Sequence, residues 1–585
     1  MLLTSNTLSA LISSLVPTKE FQQLPPTEDG SLLLRPGPSQ SKPTLETLNR
    51  DVFRLIALEL YRTPSDLKPL SLCSRTIRNL ASPVLFSRCR REWHLYPPPP
   101  HVCSFTRHLT YTGGRDFAAA HGYCKQLLER FPLLTAITFE RIKSVSWAVL
   151  RVCLSHPRIV SVSFSDGATL AATDPLPIEE VAETSVTLSD FAYETGLWRS
   201  MRHWSDAKIN PPCDLGMLVA REWECLAVLV MPMNQTLVHL SLSMGSAPIL
   251  KMAELPWPKL RVLSIKGSYW TSEQVDSLPV LLGTLPELEE LSIRICRGQT
   301  DREGRPPMLG RHSRPRSVLS GMHSLTVAYP DPDDAIFLID TSHLRHLSLC
   351  DWPRHYNSPT LQHYCHAPFA YPILSSTECL SILQRMNMPE LSSLELVYLA
   401  SRAGADDDLL RHVASEFPKL AHLELHRYRA DRDEEVNHVH IARLLSATRS
   451  LRAVRLNLDF HGDHGPYCGK YVVRKAWWDT FKGSLGWEIV NIMQDCPLLR
   501  CVELLYHGSP TATWVEFHPP RCAEPRFVLS YDKDHREPEL MPVSWFHIYS
   551  TGPWSGDPEQ DVTTIPSGED TSESEDSTPP PENTS

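Results

Sequence analysis

The chain has 585 residues, 42% of them hydrophobic and 21% charged, which is enough to bury a large core. Of its net charge of -11, nine acidic residues and no basic one fall between Asp557 and Ser585, so the rest of the chain carries only -2. It lacks the cationic field that binds phosphate backbones, and no run nears the ~20 apolar residues of a membrane span. Lys19 is the first basic residue, so no secretory leader is expected, and 15 cysteines without paired spacing point to a reducing interior, cytoplasm or nucleus.

Residues 1–42 are rich in Ser, Thr, Pro and Leu without a period and are expected to be a mostly disordered lead. Residues 43–93 then read as a compact helical unit. A first helix runs from Leu48 to Leu60, with Leu48, Val52 and Ile56 on one stripe and Phe53 and Leu60 extending it. Asp66 is the expected N-cap of a second helix carrying Leu67, Leu70 and Cys73. Ser74 caps a third with Ile77, Leu80 and Ala81, which Pro83 closes. Residues 94–112, with Pro97 to Pro100, read as a stiff linker.

Within residues 113–552, expected to form the repeat domain, a phrase recurs from about 131 to 504: a proline, then Leu-x-x-Leu-x-Leu or a near variant. It begins at Pro132, Pro157, Pro258, Pro286, Pro389, Pro418 and Pro497, and versions without the proline occur at Leu237–Leu242, Leu344–Leu349 and Leu451–Leu456. Pro157 lies 25 residues after Pro132, and Pro286 lies 28 after Pro258, within the ~20–29 of leucine-rich repeats. In Leu-x-Leu both apolar side chains share one strand face, as with Leu263 and Ile265. Runs such as 123–130, 272–284, 409–416 and 439–447 supply helices for the other layer. The expected fold is α/β: a solenoid with a curved parallel sheet inside and helices outside, insertions near 166–212 and 297–316, and a disordered acidic Ser/Thr/Pro tail over 553–585.

The helical unit resembles the F-box. Leu48-Asn49-Arg50-Asp51, then Ile56, Leu60, Asp66-Leu67, Leu70, Ser74-Arg75 and Leu80-Ala81 follow that family's order over about 40 residues, with Asn49, Asp51 and Ile77 standing where the family has Pro, Glu and an aromatic. With the repeats behind it, the chain is similar to fungal F-box proteins with C-terminal leucine-rich repeats. The resemblance implies a non-catalytic substrate receptor of a Skp–cullin–F-box type ubiquitin ligase. Its adaptor would dock on Leu48, Asn49, Asp51, Ile56, Leu60, Leu67 and Leu70. The repeats would hold a target protein on outward strand positions such as Ser264, Lys266, Ser292, Arg294, Glu395, Glu424, His426 and Arg455. The alternative is a repeat scaffold whose divergent F-box no longer engages a ligase.

Other chemistry is weakly signalled. His461, Asp463, His464 and Cys468 form one donor-rich cluster and His363, Cys365 and His366 another, but neither has paired zinc-ligand spacing. No nucleotide-binding or hydrolase motif occurs, so no cofactor, metal or catalytic residue is expected. Arg302, Arg305, Arg311, Arg314 and Arg316 read as a solvated basic loop, and Ser567 and Ser572 precede acidic residues as phosphorylation sites would.

Overall fold

A computed structural model of the chain describes residues 45, 48–61, 64–92, 98–113, 121–142, 144–165, 167–170, 176–183, 188–194, 215–269, 271–296, 304–310, 319–355, 372–401, 404–430, 434–460, 471–507, 512–519 and 529–530. The lead, the acidic tail and both donor-rich clusters lie outside them.

Three helices open the described chain: α1 (Arg50–Tyr61), α2 (Pro64–Leu72) and α3 (Arg75–Leu85). Phe53, Ala57 and Leu60 recur at helical spacing, so α1 turns this stripe inward. There Phe53 and Ala57 meet Leu67, Ile77, Ala81 and Val84 in a core of their own. Asn49 Oδ1 accepts the Asp51 amide at 2.8 Å and caps α1. Ser74 caps α3 as expected, its Oγ accepting from the Ile77 amide at 3.1 Å. Two boundaries differ from expectation. Asp66 is not the cap of α2, because that helix starts at Pro64, whose preset φ and missing amide suit a first helical position. Pro83 does not end α3, which continues to Leu85.

Among the described residues seventeen strands form one sheet. They are β1 (Arg88–Glu92), β2 (His108–Thr112), β3 (Ala136–Glu140), β4 (Ser161–Ser165), β5 (Asp190–Tyr193), β6 (His239–Ser243), β7 (Val262–Ser268), β8 (Glu290–Cys296), β9 (Ser324–Ala328), β10 (His346–Cys350), β11 (Leu374–Ser375), β12 (Ser393–Leu399), β13 (His422–Tyr428), β14 (Ala453–Asn457), β15 (Cys501–His507), β16 (Ala512–Phe517) and β17 (Leu529–Ser530). All ten repeat phrases fall on strands. From β1 to β15 the order is sequential and parallel, with the short β11 beside the end of β12. The last two strands turn back antiparallel. This is a leucine-rich-repeat solenoid. The first apolar position of each Leu-x-Leu pair stays in register from Leu109 through Leu240 and Leu394 to Val502, and all four are buried. Helices such as Ala405–Glu416 and His438–Ser446 pack on that buried face.

The repeats begin earlier than expected. Residues 88–112, read as helical unit and linker, contain β1, β2 and the single-turn helix Pro100–Cys103. The 166–212 stretch, read as an insertion, contains β5 in register between β4 and β6. Both strands lack the proline of the phrase as well as its second leucine. Tyr111 and Tyr193 take the second leucine's place and stack into a row with Phe139 and Phe164, ring centroids 5.2–6.1 Å apart. The 297–316 stretch is also partly built in. The amides of Met308 and Leu309 donate to the buried Asp334 carboxylate at 2.7 and 3.0 Å. Arg305 is not a solvated loop residue: 13% exposed, it donates to Glu378 at 3.3 Å and to the Pro372 carbonyl at 3.0 Å. The other arginines of that patch lie outside the described residues. Among the described residues no helix is long and apolar enough to cross a membrane.

Candidate functional site

The x of Leu-x-Leu faces away from the helices, and register strings these positions into a row across the open face of the sheet. From Thr110 in β2 to Ser348 in β10 the row carries only Thr or Ser, apart from Ala192. It then changes character: Glu395, Glu424, Arg455 and Glu503 sit on β12 to β15, and Glu516 of β16 lies opposite Glu503.

These charges form a network around a cavity of about 330 Å³ that also meets His346, Ser393 and His422. Arg354, on the segment just after β10, is 4% exposed and reaches into the row. Its Nη1 donates to Asp351 at 3.1 Å and to Glu395 at 2.6 Å, and its Nη2 to Glu424 at 3.3 Å. Ser348 donates to the other Glu395 oxygen at 2.6 Å. Arg455 spans Glu424 at 2.9 Å and Glu503 at 3.0 Å while its guanidinium lies 4.5 Å over the Trp514 ring. Such bridging, charge-assisted contacts set geometry as well as energy.

Burial alone would raise the Glu424 carboxyl, but the His426 hydrogen bond and the charges of Arg354 and Arg455 more than offset it, holding the group well below the usual range. Burial likewise opposes ionisation of Asp351, and Arg354 chiefly overcomes it. A depressed carboxylate stabilises the fold above its ordinary pKa, and that stabilisation is lost as pH falls through the folded value. Stability measured by urea denaturation should therefore fall steadily below about pH 5, and Glu424→Gln should flatten that dependence. An unchanged slope in the variant would contradict this assignment.

The sheet brings Glu395, Glu424, His426 and Arg455 together, as their strand parity requires. His426, however, was expected on the surface and is fully buried. Its Nε2 donates to Glu424 at 2.9 Å, its Nδ1 accepts from Asn457 at 3.4 Å, and Trp514 stacks edge-on against it. The terminal hairpin thus covers a residue that repeat logic alone leaves open. Ser264 and Ser292 lie in the hydroxyl stretch of the row, and Lys266 pairs with Glu194 at 2.8 Å beside half-buried Arg294, on neighbouring strands. Glu503 occupies the same phrase position as Glu395 and was legible; Asp351, Arg354 and Glu516 lie outside the phrase.

At the helical unit, Leu67 is fully buried in the core, so it offers no surface to an adaptor. Leu48, Ile56, Leu60 and Leu70 are half-buried, and Asn49 and Asp51 are exposed. The open apolar surface belongs instead to Leu55 (66% exposed) and Leu58 (46%) on α1, with Leu72 (71%) at the end of α2. Leu55 and Leu58 lie one turn apart, opposite the inward stripe.

No family model matches the chain, and no curated protein matches it. Solved structures do. A yeast complex of Rad7 and Elc1 aligns at TM-score 0.35 and 14% identity, over 70% of this chain and 88% of that one. The leucine-rich repeat-containing protein LegL7 from Legionella pneumophila aligns at 0.28 and 12%, over 71% and 94%. A TLR13–ssRNA13 complex aligns at 0.28 and 14%, over 61% and 46%. At these scores the likenesses add nothing to what strand register and the buried leucine rows establish by themselves.

Proposed function

We propose that this chain is the substrate receptor of a Skp–cullin–F-box type ubiquitin ligase, acting in the cytoplasm or nucleus. In this reading α1 to α3 are an F-box that docks on the adaptor, and the open face of the sheet holds a target protein. The chain supplies no catalytic group: it positions the target, and other subunits transfer ubiquitin. One observation carries the reading. A helical unit with its own small core leaves Leu55, Leu58 and Leu72 uncovered, and units this small usually rely on a partner or a neighbouring domain for stability. The alternative, a repeat scaffold with a divergent F-box, is favoured by Asn49, which serves as an N-cap where the F-box pattern has proline.

Co-purification of the full chain with a Skp-type adaptor separates the two. The intact chain should retain the adaptor. The double variant Leu55→Asp, Leu58→Asp should lose it by roughly 100-fold or more, since each buried leucine contributes about 1.5–3 kcal/mol, with circular dichroism unchanged because both side chains are exposed. Retention by both proteins would place the adaptor elsewhere, and retention by neither would leave the scaffold.

A further inference from the structure

We infer that the terminal strands β15 and β16 hold a zinc ion on Cys501, Glu503, Glu516 and His518. The inference stands apart from the receptor reading above and holds or fails without it. It starts from ladder geometry. Glu503 and Glu516 lie directly opposite each other across the antiparallel pair. Cys501 is two residues from Glu503 along one strand, and His518 is two residues from Glu516 along the other, so all four side chains share one face. A thiol, an imidazole and two carboxylates thus meet at the corners of one small rectangle, and each is a zinc ligand in its own right.

The distances agree. The Cys501 sulfur and one carboxylate oxygen from each glutamate lie within 4.8 Å of one another. His518 Nε2 stands 3.6 Å from a Glu516 oxygen. With zinc bonds of about 2.0–2.3 Å, tetrahedral ligands stand roughly 3.3–3.8 Å apart, so small side-chain rotations close the set. Contacts outside the rectangle prepare the ligands. His518 Nδ1 lies 3.2 Å from the Arg500 carbonyl, which can only accept, so Nδ1 carries the hydrogen and donates it. The Nε2 of the neutral ring then turns a lone pair toward a carboxylate, which calls for a cation between them. A carbonyl behind the second nitrogen is how ligating imidazoles are held, and ligating carboxylates are hydrogen-bonded in turn. Arg455 Nε donates to Glu503 at 3.0 Å in that way. Charge also closes: a thiolate, two carboxylates and a dication leave one negative charge, which Arg455 offsets. The thiol selects zinc over magnesium and calcium, which take oxygen ligands. On binding, the Cys501 sulfur gives its proton to solvent and bonds to the metal. The ion ties β16 to β15, and β16 carries the Trp514 that covers His426. A proton on Nε2 in place of the metal, making His518 a simple ionic partner of Glu516, is the competing reading.

The test uses the full chain, stripped with EDTA and titrated with zinc chloride against a chromogenic chelator. One zinc per chain should bind. Cys501→Ser and Glu516→Gln should each weaken binding by more than the roughly 10–100-fold that follows loss of a group supporting a ligand. Cobalt chloride in place of zinc should give a sulfur-to-metal charge-transfer band that Cys501→Ser removes. Both variants keep side-chain size, and Glu516→Gln relieves repulsion, so circular dichroism should be unchanged. His464→Gln, in a separate donor-rich cluster, should alter neither reading. An intact chain that binds no zinc overturns the inference in favour of the proton. Zinc bound equally by the intact chain and both variants, or lost in His464→Gln, overturns it in favour of adventitious binding elsewhere.

Discussion

Replacing Arg354 by alanine is expected to destabilise the protein by about 3–5 kcal/mol, the effect of removing one partner from a buried ion-pair network. Its guanidinium is 4% exposed and serves Asp351, itself 1% exposed, together with Glu395 and Glu424. Without it Asp351 keeps its burial and loses the charge that opposes protonation, so its carboxyl moves up. The sign follows. At neutral pH the variant carries a buried, poorly compensated carboxylate. As pH falls that group takes a proton, so the gap between wild type and variant narrows toward pH 4. Urea denaturation at several pH values reads both effects. A loss under 1 kcal/mol, or a gap constant with pH, would show that Arg354 is not what holds these carboxylates ionised.

The second large effect is expected at Trp257. This residue precedes Pro258 in the phrase that leads into β7, is fully buried, and donates from Nε1 to the Met252 carbonyl at 2.9 Å. Trp257→Ala should lose about 3–5 kcal/mol through cavity formation and lost packing. Its position gives the loss a particular form. In a solenoid each repeat leans only on its neighbours, so a defect at β7 weakens the coupling between the strands before it and those after it. Thermal unfolding followed by circular dichroism should broaden or split into two steps. A single sharp transition, shifted as a whole, would show that cooperativity does not pass through this repeat.

Which features were legible in the chain depends on how local their cause is. Leu263 with Ile265, or Leu394 with Leu396, declare a strand by themselves, because a period of two with proline before it has one simple reading. Tyr111 and Tyr193 stand in the same places, but their strands have neither that proline nor the second leucine, so β2 and β5 passed for linker and insertion. Glu395, Glu424 and Arg455 were placed on the open face by parity alone, and the sheet sets them side by side. Burial of His426 was not readable, because Trp514, which covers it, reaches that spot only through an antiparallel hairpin outside the repeat. Arg354 lies in no phrase, and nothing in its neighbours announces that it crosses to β12 and β13. In the helical unit, Leu67, expected at the adaptor, packs in the core while Leu55, to which the pattern gave no role, lies open, since a helix rich in leucine on several sides leaves the choice of inward stripe to α2 and α3.

The receptor account makes one claim that a single measurement can address: the adaptor and the target use separate surfaces of this chain. Hydrogen–deuterium exchange of the full chain, with and without a Skp-type adaptor, maps the first of these. The account predicts slowed exchange over Arg50–Tyr61 and Pro64–Leu72 and no change over Ser393–Leu399 or Cys501–His507. Protection on those strands with none at the helices, or no protection anywhere, would contradict it.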